Sequence, residues 1–421
     1  MKKLGVAILG LGVVGSGTYK ILTENKEYFK TVEGLDITVE SVLEINKSRI
    51  EELGIEKEKV AKNIQEVVSN RNVDVVVEVM GGVTFAKEFV LSALNSGKTV
   101  VTSNKELVAK HWSEIEKTAK KKNVGFFYEA SSVGGVPVIR TLIESMQGNH
   151  ITSISGIING TTNYILTKMT DNGESYESAL LEAQKLGFAE ANPTADVEGF
   201  DAMYKISILS SLAFNKKVSI ENIYREGITN LKEKDIKYAD ELGYVIKLLG
   251  IGKDKETGVE VRVHPTLVKK DSALAGVKGS FNAVKIVGDS VGEITLTGRG
   301  AGSMPTASAV VSDVIFAGKH SEFYYQPFNV EKSKEVKYVS DFTSKYFIRI
   351  ESELGNKDAL KIEKIFDKGV VIEKIIKEEN DGKLDVIVLT NVAGEKQTLK
   401  TLEKVKALKG LTVENIIRVE D

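Results

Sequence analysis

Between Gly187 and Lys205 the sequence gathers Glu190, Asp196, Glu198, Asp201 and Lys205 into one loop and the helix after it. Asp201 and Lys205 are one helical turn apart and share a face. The rest of that helix, Ile206–Phe214, is apolar or small, which predicts burial. A lysine at the edge of a buried helix, held by carboxylates, is suited to proton transfer. An ordinary i,i+4 ion pair, worth roughly a few tenths of a kcal/mol, fits the spacing equally well.

A second constellation suits phosphate. Gly10-Leu11-Gly12-Val13-Val14-Gly15 fits G-x-G-x-x-G, after the β-rich run Leu4–Leu9 and before a helical pattern at Ser16–Leu22. Glycine lets the backbone approach a pyrophosphate at a helix N-terminus, and the strand–turn–helix context supports nucleotide binding. Ribose selectivity belongs after the second strand, Ile37–Leu43. There Glu44 suits the 2′- and 3′-hydroxyls of NAD, while Lys47 and Arg49 suit the 2′-phosphate of NADP. The insertion Asn25–Leu35 lengthens the glycine-to-acid spacing, and either cofactor stays open.

Two look-alikes are set aside. Ser96-Gly97-Lys98-Thr99 mimics the end of a phosphate loop, but the required first glycine would fall at Ser92. Tyr164 and Lys168 mimic the Tyr/Lys pair of short-chain dehydrogenases, with the wrong glycine spacing. His111, His150, His264 and His320 stand singly, without metal-ligand spacing.

The elements that must position these residues follow from the pattern of the 421-residue chain. Residues 1–150 alternate short apolar runs (Leu4–Leu9, Ile37–Leu43, Val73–Val79, Val100–Thr102, Val124–Tyr128) with helical stretches, predicting a Rossmann-type parallel sheet covered on both faces. Residues 151–330 read as a second, α+β domain. Helices are expected at Tyr176–Leu186, stopped by Gly187, and at about Phe200–Phe214. Strands are expected at Val259–Val263, Ala283–Ile286 and Glu293–Thr297. Glu331–Lys345 reads as a linker. Residues 346–421 follow a βαββαβ order, with strands Tyr346–Glu351, Val370–Ile376, Leu384–Leu389 and Val413–Val419 and helices Asp358–Phe366 and Gln397–Leu408.

Composition excludes several classes. Lys and Arg number 57 against 59 Asp and Glu, for a formal charge of −2, which argues against a nucleic-acid partner. There is no cysteine, so disulfides, Cys zinc sites, iron–sulfur clusters and thiol nucleophiles are excluded. No 18-residue apolar stretch appears, and the glycine-broken N-terminus reads as a strand entering a turn rather than a signal. A cytoplasmic protein without a membrane partner is expected.

The signature A-x3-G-[apolar]-[small]-x2-[DNS]-P-x2-D-[LIVM]-x-G-x-D-x3-K is met by Ala183, Gly187, Phe188, Ala189, Asn192, Pro193, Asp196, Val197, Gly199, Asp201 and Lys205. Together with Thr102-Ser103-Asn104-Lys105, Tyr128-Glu129-Ala130, Gly160-Thr161-Thr162-Asn163-Tyr164 and Gly298-Arg299-Gly300-Ala301-Gly302, the chain resembles homoserine dehydrogenase from residue 6 to about 320. The resemblance implies reversible NAD(P)-dependent reduction of aspartate 4-semialdehyde to homoserine, on the route to threonine, isoleucine and methionine. It implies Lys205 as proton donor and Lys105 as a second essential lysine. Glu190, Asp196, Asp201 and Thr161 would bind substrate. Ser103, Lys105 and Gly302 would join Gly10, Gly12, Val13, Val14, Gly15 and Glu44 at the cofactor, the backbone at Gly302 approaching it closely. The loop Glu129–Val136 resembles a sodium-binding loop with Glu129, Ser132, Gly134 and Val136 as ligands, mostly through carbonyls. A homodimer or higher homo-oligomer is implied too, with 151–330 as the catalytic and dimerisation domain whose end returns to the nucleotide domain.

The C-terminal unit resembles an ACT domain. It departs from that family's Asp-x-Pro-Gly pattern, showing Glu353-Leu354-Gly355-Asn356-Lys357-Asp358, which counts against an amino-acid effector there. Aspartate-semialdehyde dehydrogenase, the nearest enzymatic rival, needs a cysteine this chain lacks. A non-catalytic sensor would have no reason to keep Lys105, Glu190, Asp201 and Lys205 together.

Overall fold

The computed structural model describes residues 1–320, 336–353, 356–366, 370–380 and 382–420. Within them the chain forms two compact units: Met1–Ile154 with Tyr204–Asn222 and Asn282–Val336, and Ser155–Met203 with Ile223–Phe281 and Lys337–Asp421. The helices that bear on function are, in chain order, α1 (Val13–Glu24), α2 (Lys105–Lys122), α3 (Gly160–Asn172), α4 (Phe200–Phe214), α5 (Glu233–Glu241) and α6 (Ser303–Lys319). The Tyr176–Leu186 pattern becomes a helix at Tyr176–Lys185, with Gly187 beyond it at φ +77°.

In the first unit, β1 (Lys2–Leu9), β2 (Leu35–Leu43), β3 (Val75–Glu78), β4 (Thr99–Thr102) and β5 (Phe126–Phe127) form a parallel sheet. Their order is β2-β1-β3-β4-β5, so the chain reverses direction across the sheet between β1 and β3. Open α/β sheets bind ligands at the carboxyl ends of the strands at such a point. The last six residues of β1 and all of β3 are buried, as the unbroken apolar runs predict.

Helix α6 closes this unit. Its Ala309, Val310, Val311, Val314 and Ala317 share a core with Leu4, Val6 and Ile8 of β1. A methyl group at Gly17 of α1 would meet the Ser303 carbonyl oxygen at 2.9 Å, so the missing side chain sets how closely the two helices approach.

The second unit holds the long antiparallel pair β6 (Tyr244–Lys255) and β7 (Gly258–Lys269). Beside them lie β8 (Tyr346–Ser352), β9 (Ile372–Asn380), β10 (Lys383–Thr390) and β11 (Leu411–Val419), in the order β7-β11-β8-β10-β9. Helices Asn356–Phe366 and Glu395–Lys406 complete the βαββαβ order, and the strand arrangement is ferredoxin-like. Strand β11 runs parallel to β7, so this C-terminal sheet continues the one before it. By contact, residues 337–421 therefore fall within the second unit, while the division of roles into 1–150, 151–330 and 346–421 remains our proposal.

Some sequence expectations reach outside the described residues: positions 321–330 of the 151–330 domain, 331–335 of the linker, Leu354 and Gly355 of the Glu353–Asp358 motif, and positions 367–369, 381 and 421 of the C-terminal unit. No described helix is long and apolar enough to cross a membrane.

Candidate active site

The glycine turn follows β1. Gly10 has φ +92°, a conformation that disfavours any side chain, and its N–H bonds the Leu43 carbonyl at 2.9 Å. Gly12 caps α1 without a side chain, and the first helical bond is Ser16 N–H to Gly12 O at 2.9 Å. The amides of Val13, Val14 and Gly15 precede that bond at a helix N-terminus, the arrangement that holds phosphate. A methyl group at Gly12 would meet nothing within 4 Å, so the turn keeps an open cradle where a pyrophosphate fits.

Glu44 ends β2 beside this turn. Its Oε2 accepts the Leu11 N–H at 2.5 Å, and Oε1 accepts the N–H groups of Ile45 and Asn46, each at 2.8 Å. A carboxylate has about four acceptor sites, so one remains. Of the two competing cations, Arg49 is paired with Glu52 at 2.9 Å.

Lys105 is the first residue of α2, and a buried network sets its position. Asn104 caps the helix through Leu107 N–H at 3.0 Å, and its amide reaches the Gly82 carbonyl at 2.6 Å. Thr102 Oγ1 accepts the Asn104 N–H at 3.0 Å and donates to Glu78 Oε2 at 2.6 Å. Glu78 is fully buried at the end of β3. Burial pushes its carboxyl up, against the hydrogen bonds from Thr102 and Met80. Ser103 N–H bonds the Glu78 carbonyl at 3.4 Å, which fixes the β4–α2 corner. Sequence reading missed Glu78; its only signal is one acid in a run of valines.

Lys205 lies in α4 and is 8% exposed. Its neighbour Tyr204 reaches Glu106, the neighbour of Lys105, at 3.5 Å. Lys110 pairs with the same Glu106 at 2.5 Å and lies over the Tyr204 ring. These contacts bring the start of α2 against α4 inside the first unit, so the two predicted lysines sit on adjoining helices.

The predicted substrate residues belong to the second unit. Asn159 Nδ2 donates to Asp196 Oδ1 at 2.7 Å and to Asp201 Oδ2 at 2.8 Å, joining two acids that sequence reading had only grouped by spacing. Asp201 is 5% exposed, whereas Glu190 is exposed and its carbonyl accepts from Gln184 at 3.1 Å. Thr161 Oγ1 donates to the Phe188 carbonyl at 2.6 Å, so its hydroxyl keeps only acceptor capacity. The loop before α4 is tightly seated: a methyl group at Gly227 would be 2.3 Å from the Val197 carbonyl oxygen.

The Glu129–Val136 loop is strained. Val133 and Gly134 have φ of +58° and +51°, and a branched residue in that region is a true outlier. Ser131 Oγ, Ser132 Oγ and both amide atoms of Asn282 are buried without hydrogen bonds. Asn282 packs against Gly300, and Gly300 against Gly134. The Glu129 carboxylate is turned elsewhere, accepting the N–H groups of Ile139 at 2.9 Å and Arg140 at 2.8 Å. Burial, with Asp313 nearby, pushes that carboxyl up to about 7. Among the described residues no three His, Asp or Glu side chains gather to hold a metal, so a cation here would rest on carbonyl oxygens.

Gly302 caps α6 at φ +112° and ψ 161°, a region open essentially to glycine alone. Its conformation thus demands glycine independently of any cofactor. The look-alikes fall away. Lys98 bonds the carbonyls of Asn70 and Val73 after a helix ending at Asn95. Lys168 pairs with Glu182 at 2.9 Å, and burial pushes the Tyr164 phenol up, the wrong direction for a base.

A parallel sheet with an open glycine cradle at its switch point, and two lysines on adjoining helices, is the arrangement of an NAD(P)-dependent oxidoreductase. Known proteins agree. Residues 10–129 match the family pattern described as "Homoserine dehydrogenase, NAD binding domain", and residues 137–315 match "Homoserine dehydrogenase". The chain is 39% identical to the homoserine dehydrogenase of Neisseria gonorrhoeae over 97% of this chain and 96% of that protein. It is also 39% identical to that of Bacillus subtilis, over 97% and 98%. A crystal structure of a homoserine dehydrogenase from Thiobacillus denitrificans superposes with a TM-score of 0.94 at 39% identity, covering 100% of this chain and 99% of that one. The chain belongs to the homoserine dehydrogenase family.

Proposed function

We propose that this chain oxidises the primary alcohol of L-homoserine to L-aspartate 4-semialdehyde, and catalyses the reverse reduction, with NAD(H) preferred over NADP(H). The observation that carries the reading is the turn of α4 that places buried Asp201 and Lys205 four residues apart. When bound, the nicotinamide exchanges hydride with the alcohol carbon. Lys205 takes the hydroxyl proton during oxidation and returns it during reduction. Lys105 adds a second positive charge that favours the developing alkoxide. Asp196, Asp201 and Glu190 supply the negative charge that a substrate ammonium requires, and the Thr161 hydroxyl can accept from the same group.

The preference for NAD rests on Glu44. Its carboxylate bonds the glycine turn itself, leaving one acceptor site for a ribose hydroxyl and a negative charge where a 2′-phosphate would have to sit. Ser103 and the Gly302 turn complete the cofactor set in this reading. For the sodium ion, the strained Val133–Gly134 backbone and the buried unpartnered polar atoms around it support a cation held by the carbonyls of Glu129, Ser132, Gly134 and Val136. The family resemblance supports a cytoplasmic homodimer or higher homo-oligomer serving threonine, isoleucine and methionine synthesis. It also supports an ACT-like role for residues 346–421 without a bound effector.

The test is the initial rate of homoserine oxidation with NAD⁺ and with NADP⁺, for the wild type and Lys205→Ala. Turnover that is faster with NAD⁺ is expected. The alanine variant should lose about 10²–10⁴-fold in rate while NADH binding, followed by fluorescence, is retained. A wild type that binds cofactor and leaves homoserine untouched would overturn the reading, and faster turnover with NADP⁺ would overturn the assignment to Glu44.

A further inference from the structure

Asn159 is the residue before α3 and is 4% exposed. Its Oδ1 accepts the Thr162 N–H and the Thr162 hydroxyl, each at 2.9 Å, which caps the helix. A cap needs only that oxygen. The nitrogen does something else: one of its hydrogens goes to Asp196 and the other to Asp201. Two donors and two lone pairs exhaust the hydrogen-bonding capacity of a side-chain amide. The orientation is also determined, since the flipped amide would set its oxygen against two carboxylates.

Three segments meet at this one side chain: the start of α3, the short helix Thr194–Val197 and the first turn of α4. Two carboxylates held on a common nitrogen at 2.7 and 2.8 Å lie close enough to raise each other's affinity for a proton. Hydrogen bonds donated to the ionised forms oppose that effect. The other charged groups on these elements and the loops beside them are Lys168, paired with Glu182 at 2.9 Å, and Asp171, paired with Lys278 at 2.8 Å, further along α3; Glu190; Glu198, which Arg225 approaches to 3.8 Å; and Lys205 one turn along α4.

We propose that Asn159 is a positioning residue of the reaction: its amide holds Asp196 and Asp201 together as an ionised pair, ready for the substrate ammonium. The proposal rests on the reading of those acids given under Proposed function. It assigns the helix cap a second task that the cap geometry alone does not require.

Two substitutions separate the tasks, because aspartate and serine are both good N-caps. Asn159→Asp keeps the cap but replaces two donors with a third carboxylate. Asn159→Ser keeps the cap and leaves a single hydroxyl donor for two acids. Asn159→Ser should melt closer to the wild type than Asn159→Asp, which buries a third carboxylate beside two others, and both should bind NADH unchanged. Asn159→Asp should raise the KM for homoserine at least ~10-fold and shift the acid limb of kcat/KM upward by about one pH unit, as expected when carboxylates share a site. Asn159→Ser should show the same changes in smaller measure. A wild-type KM and acid limb in Asn159→Asp would overturn the proposal. So would a loss of NADH binding as large as the loss of homoserine affinity, which would mark a purely structural role. Failure of the wild type to oxidise homoserine would instead overturn the functional reading beneath it.

Discussion

At Gly15 a methyl group would sit 2.0 Å from the Gly10 carbonyl oxygen, whereas at Gly12 it would meet nothing within 4 Å. The two glycines of one motif therefore do unlike work. Gly15 serves the packing of α1 on the turn, and Gly12 serves whatever fills the cradle. Gly15→Ala should destabilise the protein by about 2–3 kcal/mol, because backbone must move to admit the methyl. Gly12→Ala should leave the melting temperature within a few degrees and weaken NADH binding about 10-fold or more. Thermal melts and fluorescence titration of both variants check this, and equal losses of stability would contradict it. At this scale the sequence showed what its residue types and spacing allow, namely Lys105, Lys205, Asp201 and the glycines. It could not show Asn159, Glu78 or Asn282, because the groups that Asn159 and Glu78 bond and the backbone that Asn282 packs against lie far away along the chain.

Strand β6 illustrates the limit at the scale of elements. Tyr244–Lys255 is interrupted by Gly250, Gly252 and Lys247, so its pattern reads neither as a clean alternation nor as an apolar run. By contrast α4, apolar or small throughout Ile206–Phe214, matches the expected Phe200–Phe214 at both ends. In the structure Lys247 is 4% exposed, and its Nζ donates to Asn163 Oδ1 at 2.9 Å and to the Val277 carbonyl at 2.7 Å. Asn163 in turn donates to the Val277 and Phe281 carbonyls, so the lysine ties α3 to the loop after β7. Burial lowers the Lys247 pKa from 10.5 to about 8. Between those values the unfolded chain binds the extra proton, so the contribution of this group to stability rises with pH, by roughly 1.4 kcal/mol per unit at most. Urea midpoints at pH 7.5 and 9.5 should therefore show the wild type gaining about 1–2 kcal/mol relative to Lys247→Met. Parallel shifts of the two proteins would contradict the lowered pKa.

For the molecule as a whole, the decisive question is whether the C-terminal sheet folds as part of the second unit. Asp235 of α5 is fully buried and accepts from Arg349 Nε of β8 at 2.7 Å, from Asn415 of β11 at 2.8 Å and from the Lys232 N–H at 2.9 Å. Arg349 is 2% exposed, with Glu414 and Asp385 more distant at 3.8 and 4.0 Å. Removing Asp235 leaves that guanidinium buried without its nearest counter-charge, and breaking such a pair costs about 3–5 kcal/mol. The distant carboxylates should keep Asp235→Ala near the lower end of that range. Replacing both partners with apolar residues of similar volume removes the two desolvation costs together, so Asp235→Leu with Arg349→Met should recover part of the loss, the Asn415 amide and the Lys232 N–H staying unpaired. Because the pair bridges α5 and β8, the single variant should weaken the whole second unit. Urea unfolding followed by hydrogen exchange should then show amides of β6, β7 and β8 losing protection together. Loss confined to residues 346–420 would instead make the C-terminal sheet an independent folding module, despite the pairing of β11 with β7.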